Sequence, residues 1–302
     1  MLWLVIAILA YLILAVVFLV DKYLLTGPIP NPKVYSFYIG LLGLGVLVFV
    51  PFIDFYILDF QDIVLAFVSG ASFVWGIFWF FKGLKEFEPS RIAPAVGGVL
   101  PVFTFILIYF FSWGREILNL QQLLAFVLLI FGTFLITYQR SKKISMKSLR
   151  LSAVAAFFFA LSFVTAKFIY LNYPFLLSLL WIRLGGTLSA LFFLLSTEVR
   201  QGLFKQKVGL EKKTLAVFFS SQAAGAGANI LQNWAIALAP MVYIAFINAL
   251  QGVQYIFLLF FAILFSWKIP KILKEEISRD VIFQKTVAIL LISLGLVLLA
   301  II

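Results

Sequence analysis

QQLLAFVLLIFG (121–132) and QKTVAILLISLG (284–295) run in parallel and both end on glycine, Gly132 and Gly295. Two further pairs keep the same order along the chain. FLVDKYLL (18–25) matches FVTAKFIY (163–170) and aligns Lys22 with Lys167. FKGLKEFEPSRIAPAVGGVLPVF (81–103) matches QNWAIALAPMVYIAFINALQGVQ (232–254) and aligns Pro89 with Pro240. Single identities are few, and apolar helices resemble one another by chance, but the shared order and spacing of three pairs mark an internal duplication. Each copy holds five apolar runs of about twenty residues, the length that spans hydrocarbon as a helix. Spans are expected at 2–21, 34–53, 62–82, 91–112, 119–138, 151–171, 174–196, 214–238, 240–266 and 282–302. An odd number of crossings per copy places the second copy in the bilayer upside down. The expected fold is therefore an all-α integral membrane protein of ten transmembrane helices. They form two inverted five-helix repeats, residues 1–140 and 151–302, joined by a short basic hinge.

Composition points the same way. The 302 residues are 64% hydrophobic and only 12% charged, with a mean hydropathy of +1.14, whereas a soluble chain carries about a quarter of its residues as charges. The chain has no cysteine and no histidine, which excludes disulfides, thiol chemistry, zinc held by nitrogen or sulfur, and nucleophile–histidine catalysis. No cofactor is expected. The opening run Leu2 to Val20 lacks a basic leader and a small-residue cleavage site, so it reads as a first span. Punctuation fits the boundaries: GPIPNP (27–32) separates the first two spans, and Pro174 and Pro240 suit the first turn of spans seven and nine. Pro101 falls inside span four, where a kink or hinge is expected.

The net charge of +11 belongs to the loops, where it signals orientation and contact with anionic lipid headgroups; nucleic acid is not an expected partner. Loops after the odd-numbered spans hold twenty of the 23 Lys and Arg residues: Lys22 and Lys33; Lys82, Lys85 and Arg91; Arg140, Lys142, Lys143, Lys147 and Arg150; Arg200, Lys205, Lys207, Lys212 and Lys213; Lys268, Lys271, Lys274, Arg279 and Lys285. The opposite loops hold Arg115 and the acidic trio Asp54, Asp59 and Asp62, read as solvated. The positive-inside rule then places both termini outside the cytoplasm in a multi-pass inner (plasma) membrane protein, a monomer or weak dimer.

Polar groups within spans are costly in hydrocarbon and so mark candidate sites. Arg183 lies nine residues past Pro174, about 13 Å into span seven at the helical rise. Two readings stand open: an anchor for a substrate carboxylate or phosphate, and a structural arginine bonded to helix-end carbonyls and water. No acidic residue is seen at mid-depth in any span. Lys167, nearer a span end, is expected to snorkel to the interface. In span eight Gln222, Asn229 and Asn233 share one helical face, with Gly225, Ala226 and Gly227 between them for close approach. In span nine Asn248, Gln251 and Tyr255 form a second stripe. Both stripes fit a wet cavity, and both fit interhelical amide bonds. On span three Ser72, Trp75 and Trp79 share a face and are candidate cavity aromatics, with packing or interface anchoring as the alternative. Glu116 and Glu276 sit at loop-to-span junctions, where a carboxylate caps a helix or contacts a gate.

At these residues the chain resembles the EamA-type branch of the drug/metabolite transporter superfamily. The resemblance rests on the bend from Ala95 to Pro101, Glu116 followed by Gly132, Arg183 early in span seven, and Glu276 with Gly295. It covers nearly the whole chain. It implies ten helices in two inverted repeats, with a central cavity between spans three, four, eight and nine and the second span of each repeat. It further implies export or exchange of amino acids, other metabolites or amphipathic drugs. Many relatives place both termini in the cytoplasm, whereas the loop charges here place them outside, so the direction of transport stays open.

The expected function is a secondary active or facilitative permease that moves a small organic metabolite, such as an amino acid, by alternating access. No phosphate-binding loop of the Walker type is present, so ATP does not drive it directly. The alternatives are an exporter of amphipathic drugs and a non-transporting scaffold subunit. An intramembrane lipid enzyme would need a metal cluster or nucleophile–base pair at membrane depth, and none is seen.

Overall fold

A computed structural model describes residues 2–26, 31–87, 89–137, 146–204, 212–265 and 279–301. Glu276 and the basic residues at 140–143, 205–207 and 268–274 lie outside that set. Among the described residues the chain is all-α, with twelve α-helices and two 3-10 segments. In order they are α1 (Leu2–Thr26), α2 (Pro32–Leu42) with a 3-10 segment (Gly43–Phe52), α3 (Phe60–Glu86), α4 (Pro89–Phe111), α5 (Leu120–Thr137), α6 (Met146–Asn172), and α7 (Phe175–Leu191) with a 3-10 segment (Phe192–Leu195). They continue as α8 (Thr197–Phe204), α9 (Lys212–Leu238), α10 (Tyr243–Ala249), α11 (Gln251–Phe265) and α12 (Arg279–Ile301).

A helix thus stands at each of the ten expected positions, and among the described residues five are long and apolar enough to cross a membrane: Leu2–Leu25, Pro32–Phe52, Phe60–Glu86, Met146–Asn172 and Phe175–Leu195. Shorter apolar helices cover Ala95–Phe111, Leu120–Leu135, Tyr243–Leu258 and Phe283–Leu299. Large apolar side chains such as Val48, Phe52, Phe60, Phe110 and Phe192 are exposed on the outer surface, an arrangement that suits lipid and not water.

Local chemistry sets several helix ends. Asn31 caps α2 by accepting from the Lys33 backbone N–H (3.0 Å), with Pro32 in the first turn. Asn119 and Gln122 form a reciprocal cap on α5: each side-chain oxygen accepts from the other's backbone N–H, at 2.8 and 3.0 Å. The expectation that Glu116 caps this helix is corrected. It lies in the preceding turn, where its N–H donates to Ser112 Oγ (3.2 Å). Lys167 is also corrected. It is 3% exposed, and its Nζ donates to the carbonyls of Ala237 (2.9 Å) and Ala239 (2.6 Å) at the end of α9. A cation meeting helix-end carbonyls is satisfied without reaching the interface.

Three features were not foreseen. The second span changes from α to 3-10 geometry at Gly43, in a run of ten residues that is long for this geometry. Gly43 and Gly45 weaken the α-helix there, and Pro51 cannot donate a backbone bond. The helix expected over 240–266 breaks at Leu250, between α10 and α11. Side chains collect the carbonyls at the break: Tyr11 donates to Ile247 O (2.9 Å) and Thr133 to Ala249 O (3.4 Å). The polar helix α8 brings Glu198 to Lys33 (3.2 Å), whose hydrogen bond holds that carboxyl below its usual range.

Two helix pairs pack reciprocally. Where α5 crosses α12, a Cβ on Gly132 would meet Ile292 and the Ala288 carbonyl, and a Cβ on Gly295 would meet Leu129 and the Ala125 carbonyl. In the aligned passages Gly132 matches Gly295, Leu129 matches Ile292, and Ala125 matches Ala288. Each contact therefore recurs with the halves exchanged, and the two helices run antiparallel. Where α4 crosses α10 and α11, Asn248 Nδ2 donates to Thr104 Oγ1 (2.8 Å), and Gly97 lies against the Tyr255 ring. Gly97 matches Asn248, and Thr104 matches Tyr255, one residue past the quoted block. Elsewhere α3 packs on α6 and α7, α1 on α9, and α4 on α6.

Candidate functional site

The helices enclose a cavity of about 580 Å³, within the range that accepts drug-sized ligands. α1, α2 with its 3-10 segment, α3, α4, α6, α7, α9 and α11 all contribute to the wall. Most of the lining is apolar or aromatic, including Phe18, Phe49, Phe73, Phe80, Phe159 and Phe163. The polar side chains fall into three groups.

The first centres on Arg183 of α7. Its Nη2 donates to Asn229 Oδ1 of α9, and its guanidinium lies 5.2 Å from the centre of the Phe73 ring. Asn229 is held in turn by Asn233 Nδ2, which donates to the Asn229 carbonyl (2.9 Å) and side-chain oxygen (2.8 Å). Tyr170 of α6 donates to Asn233 Oδ1 (2.9 Å). Asn229 and Asn233 are one helical turn apart, so a single face of α9 positions both. No carboxylate pairs with Arg183 among the described residues, so its charge is balanced by neutral amide oxygen and a ring face alone. A small recess of about 20 Å³ beside Arg183, Asn229 and Asn233 has room for one water.

The second group centres on Asp21. Its Oδ1 accepts from Tyr35 OH (2.5 Å) and Gln222 Nε2 (3.2 Å), and Gln222 Nε2 also donates to the Tyr35 oxygen (3.0 Å). This ties α1, α2 and α9 together at the end of the cavity facing the basic loops. Edge-on contacts of the Tyr35 ring with Phe81 (4.8 Å) and Phe218 (5.8 Å) reinforce the tie. The third group lies at the helix break, where Gln232 Nε2 donates to the Tyr11 oxygen (3.2 Å) while Tyr11 donates to Ile247 O. Gln251, Gln254 and Tyr255 line the wall beside it.

Of the residues singled out from sequence, Arg183, Gln222, Asn229, Gln251 and Tyr255 line the cavity and Asn233 lines its recess. Asn248 does not. It is fully buried against Thr104 of α4, so the second polar stripe is split by the helix break. Ser72, Trp75 and Trp79 lie away from the cavity. Trp75 packs against Phe78 and Phe193, and the Trp79 ring lies under Lys82 Nζ at 4.8 Å. The cavity face of α3 is formed by Phe73, Ile77, Phe80 and Phe81. Pro101 is buried inside α4, which continues through it to Phe111. It stands next to the lining residue Leu100. Sequence reasoning missed Asp21, Tyr11, Gln232 and Gln254. At the remote end, the acidic trio is partly bonded: Tyr173 OH donates to Asp62 (2.8 Å) and Asp59 (3.4 Å). The bond to Asp62 pushes the Tyr173 phenol above its ordinary value.

No family model and no curated protein matches the chain. The fold is shared with solved structures, of which 24 chains match. One, described only as "Crystal structure of protein", has a TM-score of 0.65 at 16% identity, over 99% of this chain and 96% of that one. At that identity the likeness is one of fold alone.

Proposed function

We propose that this chain is a secondary active or facilitative carrier of the EamA type in the plasma membrane. In this reading it has ten membrane-spanning helices, in inverted repeats 1–140 and 151–302. It moves a small organic solute bearing a carboxylate, amino acids among the candidates, by alternating access. The observation that carries the reading is the cavity's position between helices whose contacts recur with the halves exchanged. α4 and α11 of the reciprocal α4–α10/α11 crossing line it, and the break in the ninth span lies at its wall. Carriers built from inverted repeats bind solute at that junction, next to discontinuous helices.

The two halves are not in equivalent positions, which supports a cavity presented to one side at a time. α3 lies tightly on α7: a Cβ on Gly70 or Gly185 would clash with backbone of the other helix. The corresponding pair, α9 and α2, meets at Phe218 and Gln222 and then separates. Beyond that point Gly227 and Gly45 each face open space. Rocking one repeat against the other would exchange these arrangements. Arg183, which has no carboxylate partner among the described residues, supplies a charge-assisted site for a solute carboxylate. The apolar lining favours an amphipathic solute body and so keeps the exporter of amphipathic compounds as a second reading.

The test is uptake of radiolabelled amino acids and monocarboxylates into proteoliposomes, with Arg183→Ala as the control. Accumulation above empty vesicles that falls at least tenfold in the variant is expected, from the loss of a charge-assisted bond. Absence of flux for the whole panel, or flux indifferent to Arg183, would contradict the reading.

A further inference from the structure

We infer that the cavity draws its ligand sideways from the bilayer, and that the ligand is a lipophilic monocarboxylic acid of the fatty-acid type held at Arg183. The inference rests on the carrier reading above and narrows it to a substrate class and a route. Among the described residues lining the cavity, only Leu42, Gly45, Ala223, Ala226 and Gly227 are exposed. They fall on two facing segments: the 3-10 segment with the end of α2, and the middle of α9. Gly45 and Gly227 have no neighbour that a Cβ would touch. The opening therefore lies between two helices and not at a loop. Gly227 is fifteen residues into α9, some 22 Å along it at the helical rise and so near mid-membrane depth. An opening there faces acyl chains.

Arg183 stands at the inner mouth of this gap. Its Cδ lies 3.7 Å from where a Gly43 Cβ would be, and its partner Asn229 lines the same cavity as Gly45 and Gly227. A ligand entering through the gap meets a cavity lined by the guanidinium, the Phe73 ring packed on it, and Phe163. The toll of entry from hydrocarbon is low for an uncharged acid with an apolar body and high for a hydrated ion. Once inside, the acid gives its proton to water in the cavity, and the carboxylate so formed meets Arg183, which has no acidic partner among the described residues. The other charged lining residue, Asp21, is already engaged by Tyr35 and Gln222 at the basic end, so it does not compete for that place.

The experiment uses the full chain in liposomes with palmitic acid carrying a diazirine, photolysed and mapped by mass spectrometry. Parallel arms use the corresponding alcohol and a water-soluble short-chain carboxylate in a flux assay. Adducts are expected on segments 42–49 and 223–230, with at least a tenfold loss for the alcohol and for Arg183→Gln. Gly227→Trp, which fills the gap and keeps Arg183, is expected to remove the adducts too, with the variant's folding checked by its melting temperature. Adducts confined to outward side chains beyond those segments, such as Phe52 and Phe60, or equal labelling by acid and alcohol, overturn the inference. Flux of the short-chain carboxylate with no labelling overturns it while leaving the carrier reading standing. Absence of both flux and labelling overturns both.

Discussion

Asp21 shows how a residue can be missed. It stands beside Lys22 near the end of the first span, so its charge reads as interfacial. Its real setting depends on Tyr35 and Gln222, which only folding brings near. Removing the phenol with Tyr35→Phe leaves the carboxylate one donor short. A cost of about 1 kcal/mol is expected for losing a hydrogen bond to a half-buried charged group, read as a lower melting temperature of the purified protein. An unchanged melting temperature would show that the tie is not structural. Lys167 is the converse case. A lone lysine near a span end looks free to snorkel, but the end of α9 offers it two carbonyls. Lys167→Met should destabilise the fold by about 1–3 kcal/mol, whereas snorkelling would make that substitution nearly neutral. Arg183, Asn229 and Gln222 were legible because a polar group in an apolar run needs a reason. The aromatic face of α3 was not, because tryptophans suit packing as well as lining, and Phe73, Phe80 and Phe81 look like ordinary core.

The ten helical positions could be read from apolar runs and proline punctuation. Their internal geometry could not. The 3-10 segment has local causes in Gly43, Gly45 and Pro51, but those residues also suit an ordinary kink; the break at Leu250 depends on Tyr11 and Thr133 elsewhere in the chain, so no local signal marks it. Helix caps and seams give two contrasts to measure. Asn119→Ala should cost about 1 kcal/mol through loss of the α5 cap, while Glu116→Ala should leave the melting temperature in place. Gly185→Ala forces a Cβ to within 2.4 Å of Phe67 Cα and should cost about 1–3 kcal/mol by overpacking the α3–α7 seam. Gly227→Ala meets nothing and should be neutral or stabilising by up to about 1 kcal/mol, as alanine is the better helix former. Equal destabilisation by the two glycine variants would mean that the seam and the gap are wrongly distinguished.

For the molecule as a whole, three sequence pairs suggest the proposed duplication, and residues matched in two of them meet at the α5–α12 and α4–α10/α11 crossings. The cavity's asymmetry was not visible, because aligned sequences do not say which of two equivalent seams is closed. Alternation between the two is what the proposed carrier requires, and the absence of cysteine allows it to be tested without knowing the solute. A single cysteine at Leu14, a cavity-lining position on α1, can be probed with a charged, membrane-impermeant thiol reagent in vesicles of each orientation. Modification from both faces is the result expected of a carrier whose cavity opens to each side in turn. Modification from one face only, or from neither, would contradict it.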